Sequence, residues 1–293
     1  MIGDNRDDLV LAAGATMLVV MGAAAYSLRQ KRSHSAAVLS SIVARDLEGA
    51  TVCITGGNSG IGRSVALALG QRGANVLIGC RNLETAKNVS QVLGEEKCHV
   101  FSLDLANAAS VETFSENIRN ATVRTGLQVL INNAGAMINE RDKRSSIDDG
   151  GGWDTSMAVN HLGWVQLTRN LLPILEKTAE KANNSNDDNT KPVRIVNVGS
   201  ILEKRASLPD RLDDPAAWDE WIKTSVDPYG PFPAYANAKM AMTAVTFHWS
   251  QLLREETSKV EMMIVSPGMV NTALSRFMPL WKRVFCGRCG NYY

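Results

Sequence analysis

Two kinds of block alternate along most of this chain: short apolar runs, and longer stretches in which apolar residues return every three or four positions. The first kind predicts buried strands at Thr51–Thr55, Asn75–Cys80, Cys98–Leu103, Gln128–Asn132, Val193–Val198 and Val260–Ser266. The second predicts helices over Gly60–Arg72, Leu83–Leu93, Ser110–Arg124, Thr155–Lys181 and Pro233–Glu256. The fourth is expected to bend at Pro173, which has no main-chain N–H to donate. Strands alternating with helices build βαβ units, and their crossovers are right-handed. The expectation is therefore α/β: a doubly wound parallel sheet with helices on both faces.

Several stretches break the alternation. Leu9–Leu28 runs twenty residues without a charge, about 30 Å as a helix and so one bilayer core. Asp4, Asp7 and Asp8 precede it with Arg6 alone, whereas Arg29, Lys31 and Arg32 follow it. The positive-inside rule then sets its C-terminal side in the cytosol. A cleaved signal peptide with a processing site at Ala23-Ala24-Ala25 fits less well, since its start would be basic rather than acidic. Residues 1–32 are thus expected to be an N-terminal transmembrane helix with its flanks, 33–49 a polar linker, and 50–293 one catalytic domain. Residues 139–152 and 182–191 are polar and predict surface loops. The segment 201–232 holds Trp218, Trp221 and Tyr229, too aromatic for a linker, and is expected to form a flap over the substrate.

Composition narrows the classes. A net charge of +1 over 293 residues gives no reason to expect nucleic acid as a partner. The five cysteines are odd in number and scattered, which argues against a disulfide framework and for a reducing compartment. Cys286 and Cys289 form a C-x-x-C without further ligands at matching spacing, so no metal is expected.

The chemistry gathers at strand ends. Gly56, Gly57, Asn58, Ser59, Gly60, Ile61 and Gly62 link the first strand to the first helix. Glycines there let main-chain N–H groups approach a pyrophosphate at the helix's positive end, a dinucleotide site. The second strand ends at Cys80-Arg81-Asn82. An arginine, in place of the acid that would accept from a ribose 2′-OH, suits a 2′-phosphate. The expected cofactor is therefore NADP(H). Later, Tyr235 and Lys239 stand four apart on a predicted helix and share a face. A fixed cation favours phenolate, so Lys239 is expected to draw the Tyr235 pKa toward neutrality and fit it for acid–base work.

In this order the motifs resemble the short-chain dehydrogenase/reductase family over residues 50 to about 275. Asp104-Leu105 follows the third strand, Asn132-Asn133-Ala134-Gly135 closes the fourth, and Gly199-Ser200 closes the fifth. Tyr235-x-x-x-Lys239 and Pro267-Gly268-Met269-Val270-Asn271-Thr272 complete the set. Cys80-Arg81-Asn82, Asp149-Gly150, Val159-Asn160-His161-Leu162-Gly163 and the N-terminal span are similar to the membrane-anchored, retinol-dehydrogenase-like branch.

The resemblance implies a Rossmann-type domain in which Asn160, Ser200, Tyr235 and Lys239 are catalytic. Tyr235 would exchange the proton, Ser200 would bind the carbonyl oxygen, and Asn160 would anchor a water linking Lys239 to solvent. Cofactor contacts are implied for Gly56, Asn58, Ser59, Gly60, Ile61, Gly62, Arg81, Asp104, Leu105, Asn133, Ala134, Gly135, Tyr235, Lys239, Pro267, Gly268, Val270 and Thr272. Trp164 stands where the branch has another aromatic or a histidine, which implies an altered pocket. The chain after the sixth strand is short for the family's last helix and strand. The sheet edge is then expected to be open or covered by a homodimer or other partner.

The expected activity is interconversion of an alcohol and a carbonyl on a lipophilic substrate: retinol/retinal-like, sterol or lipid aldehyde. A pigment or acyl-chain reductase and a catalytically inactive NADP-sensing interaction protein are the alternatives. The expected location is a single-pass anchor in the endoplasmic reticulum with the domain facing the cytosol.

Overall fold

The first strand, β1 (Thr51–Thr55), is buried at every position. A Thr-Val-Cys-Ile-Thr run tolerates this because neither face of a central parallel strand meets water. The computed structural model describes residues 47–139, 154–184, 192–209, 229–255 and 258–268, with 211, 214, 217 and 221. The expected span at Leu9–Leu28, residues 33–46 of the linker, Asp149-Gly150, Trp218, Val270, Thr272 and the tail cysteines lie outside these residues. Among the described residues, no helix is long and apolar enough to cross a membrane.

β1 is followed by α1 (Gly60–Gly70), β2 (Asn75–Cys80), α2 (Leu83–Leu93), β3 (Cys98–Ser102), α3 (Ala108–Ala121) and β4 (Val129–Asn132). A single turn, Thr155–Met157, and a π-helical turn, Ala158–Leu162, lead into α4 (Gly163–Asn184). β5 (Val193–Val198), a 3₁₀ turn (Ile201–Arg205), α5 (Pro231–Glu255) and β6 (Val260–Val265) complete the described elements. The strands form one parallel sheet in the order β3-β2-β1-β4-β5-β6. The order reverses between β1 and β4, and the crevice beyond the strands' carboxyl ends at such a reversal is where α/β sheets bind ligands.

Alternation along the strands divides the core in two. Val52, Ile54, Val76 and Ile78 pack under α1 and α2 with Val65, Leu69 and Val89. Cys53, Leu77, Leu130 and Ile195 face the other way, onto Phe114, Ile118, Leu167 and Leu171 of α3 and α4. This is the doubly wound arrangement expected from the sequence.

Boundaries moved for local reasons. Asn107 caps α3, accepting from Ser110 N at 2.9 Å, so that helix starts at Ala108 rather than Ser110. α4 continues to Asn184, into the tract expected to be a loop from 182. The departure from α geometry falls at Ala158–Leu162, while the helix runs through an exposed Pro173.

Candidate active site

At the reversal point the chain leaves β1 through Gly56, which has φ +68°. Thr55 Oγ1 accepts from Asn133 N (3.1 Å) and Ala134 N (3.0 Å), while Asn133 Nδ2 donates to Thr55 O (2.9 Å). This clasp seats the glycine loop against the end of β4. Close approach makes glycine obligatory at position 62, where a Cβ would lie 2.3 Å from Gly56 O. α2 and α3 are capped by asparagine side chains, but Ser59 makes no side-chain cap bond to α1. The first N–H groups of α1 are thus left to whatever enters the cleft. Asn58 donates to Thr85 Oγ1 at 2.8 Å, tying the loop to the first turn of α2 beside exposed Arg81.

The opposite end is built from buried side chains. Tyr235 and Lys239 occupy one face of α5 and are 4% and 2% exposed. Lys239 Nζ donates to Val198 O at 2.8 Å and stands 5.8 Å from the centroid of the Tyr235 ring. Burial pushes the Tyr235 pKa up to about 12, against a hydrogen bond with Ser200 that lowers it. This corrects the expected depression by Lys239: loss of water outweighs a cation that has turned its proton to a main-chain carbonyl. Burial brings Lys239 itself down to about 8, opposed by the charge of Glu203. His161, on the π-helical turn, is brought down to about 4 by burial and then by Lys239.

A cleft of about 500 Å³ joins the two ends. It is lined by the loop residues Gly56, Asn58, Ser59, Gly60, Ile61 and Gly62, and by Arg81, Asp104, Leu105, Asn133, Ala134 and Gly135. Ser200, Tyr235, Lys239, Pro267 and Gly268 also line it, so most of the sequence-derived site is brought together.

Asn160 is not on that surface. It is fully buried, with Nδ2 donating to Ala136 O (2.7 Å) and Ser156 O (2.8 Å) and Oδ1 accepting from Ala136 N (3.0 Å). Both amide protons are therefore spent on main chain, and one oxygen lone pair is left for a water. Trp164 also does not line the cleft; it is 1% exposed and packs edge-on between His161 and Trp249.

Sequence reasoning missed Glu203 and gave no role to Thr55 or His161 within the motifs that contain them. Thr55 closes a strand in a buried run, and only the neighbouring β4 reveals its use. In the segment expected to form a flap, Trp221 Nε1 donates to Ser207 O at 2.5 Å and Tyr229 Oη donates to Ile138 O at 2.9 Å. Trp221 packs against Met157, Ala238 and Ala241, beside the Tyr235 and Lys239 face of α5.

The cleft fits a dinucleotide on its own features: a loop that a Cβ would fill, an uncapped helix start, and a long channel ending at a phenol and an ammonium. An oxygen placed between Ser200 and Tyr235 would meet two hydroxyls, with a cation behind them.

The family described as short chain dehydrogenase matches residues 50–207. Human polyprenol dehydrogenase is 32% identical over 223 residues, covering 75% of this chain and 60% of that protein. Human retinol dehydrogenase 13 is 32% identical over 234 residues, covering 78% and 62%. The chain thus spans about three fifths of the length of these curated relatives. Among solved structures, an NADH-dependent reductase A1-R′ complexed with NAD superposes with a TM-score of 0.56 at 22% identity. It covers 76% of this chain and 80% of its own, and at that identity the likeness speaks for the fold.

Proposed function

The chain belongs to the short-chain dehydrogenase family, in its retinol-dehydrogenase-like branch, and on that premise we propose that it is an NADP(H)-dependent oxidoreductase of lipophilic alcohols and carbonyls. The observation that carries the proposal is the convergence of Ser200, Tyr235 and Lys239 at one end of a cleft whose other end is the glycine loop. When bound, the cofactor supplies a hydride to the carbonyl carbon. Ser200 holds the carbonyl oxygen, and Tyr235 gives it a proton as the oxygen gains charge. The phenolate left behind faces the Lys239 ammonium, which stabilises it. With its pKa up at about 12, Tyr235 rests as a phenol, the form a reduction needs.

Arg81 at the cleft edge supports NADP(H), since a guanidinium holds a phosphate with charge-assisted bonds. The lipophilic class is supported by the names of the relatives, polyprenol and retinol dehydrogenases, and by the uncharged run Leu9–Leu28. That run would anchor the protein in a membrane, by our reading the endoplasmic reticulum, with the domain on the cytosolic side. The bonds of Trp221 and Tyr229 support a reading in which the segment 201–232 would cover the bound substrate.

The test is NADPH oxidation by the full chain with retinal, long-chain aldehydes and sterol ketones. Tyr235→Phe is expected to lower kcat about 10²- to 10⁴-fold while NADPH still binds. Wild-type protein that binds NADPH yet turns over none of these would favour an NADP-sensing interaction protein. Carbonate extraction tests the anchor: release of the protein in soluble form would refute it.

A further inference from the structure

Lys239 is a buried ammonium whose neighbours supply little negative charge. It is 2% exposed, and its hydrogen bonds go to Val198 O at 2.8 Å and Met242 Sδ at 3.6 Å. Both acceptors are neutral, and taking an ammonium out of water costs several kcal/mol unless charge or hydrogen bonds compensate. Yet a phenolate on Tyr235 needs that ammonium protonated.

The groups that face it decide the matter. On its own helix stands Tyr235, a neutral phenol. From the π-helical turn comes His161, an imidazole that burial keeps neutral and that Lys239 further disfavours as a cation. The turn Thr155–Met157 brings no titratable side chain, and Asp154 ahead of it caps Ser156 N at 2.8 Å. On β6, Glu261 pairs with Arg194 at 2.7 Å, at the end of the strand away from the cleft. Lys204 and Arg205 on the 3₁₀ turn are exposed. Glu203 on that turn is the carboxylate whose charge acts on Lys239.

Glu203 is also fixed in place. Its Oε2 accepts from Thr243 Oγ1 at 2.5 Å, and Thr243 lies one helical turn beyond Lys239 with its Oγ1 3.1 Å from Lys239 O. On its other side, Glu203 N donates to Ser200 O at 3.1 Å, within the turn where Ser200 Oγ accepts from Leu202 N at 3.3 Å. Glu203 therefore joins the two elements, its main-chain N–H bonded to the strand end that carries Ser200 and its half-buried carboxylate bonded to the helix that carries Tyr235 and Lys239.

We propose that Glu203 is a positioning residue of this site: its charge keeps Lys239 protonated, and its bond to Thr243 holds Ser200 in register with α5. The inference rests on the reading that Ser200, Tyr235 and Lys239 carry the chemistry. Glu203→Gln keeps an acceptor for Thr243 and removes the charge. Activity that needs the ammonium falls as pH rises through the Lys239 pKa. The variant lowers that pKa, so the alkaline limb of kcat/KM is expected to move down by on the order of 1 pH unit. Glu203→Asp, which keeps the charge, should return the limb toward wild type.

A second readout needs no turnover. In protein labelled with ¹³Cε-lysine, the resonance lost in Lys239→Met reports Lys239, and its midpoint should fall in Glu203→Gln. If the wild type reduces no carbonyl, the proposed reaction fails while the NMR midpoints still decide the role of Glu203. Coincident Lys239 midpoints in wild type and Glu203→Gln overturn the proposal.

Discussion

The two ends of the cleft are made of different material. Around α1 the walls are main chain: Gly56, Gly62, an uncapped helix start, and carbonyls held by the Asn133 side chain. Around α5 the walls are the buried side chains of Tyr235 and Lys239, whose ionisation has been moved by loss of water, Tyr235 up and Lys239 down, as it is for buried His161 outside the lining. One end is built by shape and has no room for an added methyl at Gly62. The other works by excluded water, so a single nearby charge alters it.

The largest effect separating the two is expected from Gly62→Ala. Its Cβ would meet Gly56 O at 2.3 Å and Asn133 Nδ2 at 2.4 Å, so α1 must shift away from the loop. NADPH affinity, read by fluorescence titration, should fall roughly 100-fold, the scale of overpacking a closed site. The Lys239 midpoint should stay in place. A normal affinity would mean that the loop is not the cradle.

Next comes Arg81→Ala, which removes a charge from the shape-built end. NADPH binding should weaken about 10- to 100-fold, the worth of charge-assisted bonds, with NADH little changed. Equal losses for both nucleotides would put the 2′-phosphate elsewhere.

The smallest effect is a slope. The pKa of His161 falls from an ordinary 6.5 to about 4 in the folded chain. Below pH 6.5 the unfolded chain takes up a proton that the folded chain refuses, so stability is lost as pH falls from about 6.5 toward 4. Lys239 acts in the alkaline range. Its pKa is depressed from 10.5 to about 8, so its contribution rises with pH between those values. Thermal unfolding should show the acid limb flattened in His161→Gln and the alkaline limb retained. An unchanged acid limb would remove His161 from the account.

Legibility followed the range of the interactions. Tyr235 and Lys239 were readable because helical spacing alone puts them on one face. The glycine loop was readable because the demand for no Cβ is written at each position. Asn160 was singled out through a resemblance, but its bonds to Ala136 and Ser156 needed the π-helical turn. Trp164 looked like a pocket residue by position and proved to be core, because its turn of α4 faces α5.

The sequence by itself determined the elements, the alternation that makes a parallel sheet, and the placing of Tyr235 and Lys239 on one helix face, since each rests on neighbours within a few residues. Only the tertiary structure decided that β4 lies beside β1, that Thr55 clasps Asn133, and that Glu203 stands by Lys239. It also reversed the expected shift of Tyr235. The physical reason is shared: a pKa and a cleft depend on how much water is displaced and which distant groups displace it, and neither is encoded in local spacing.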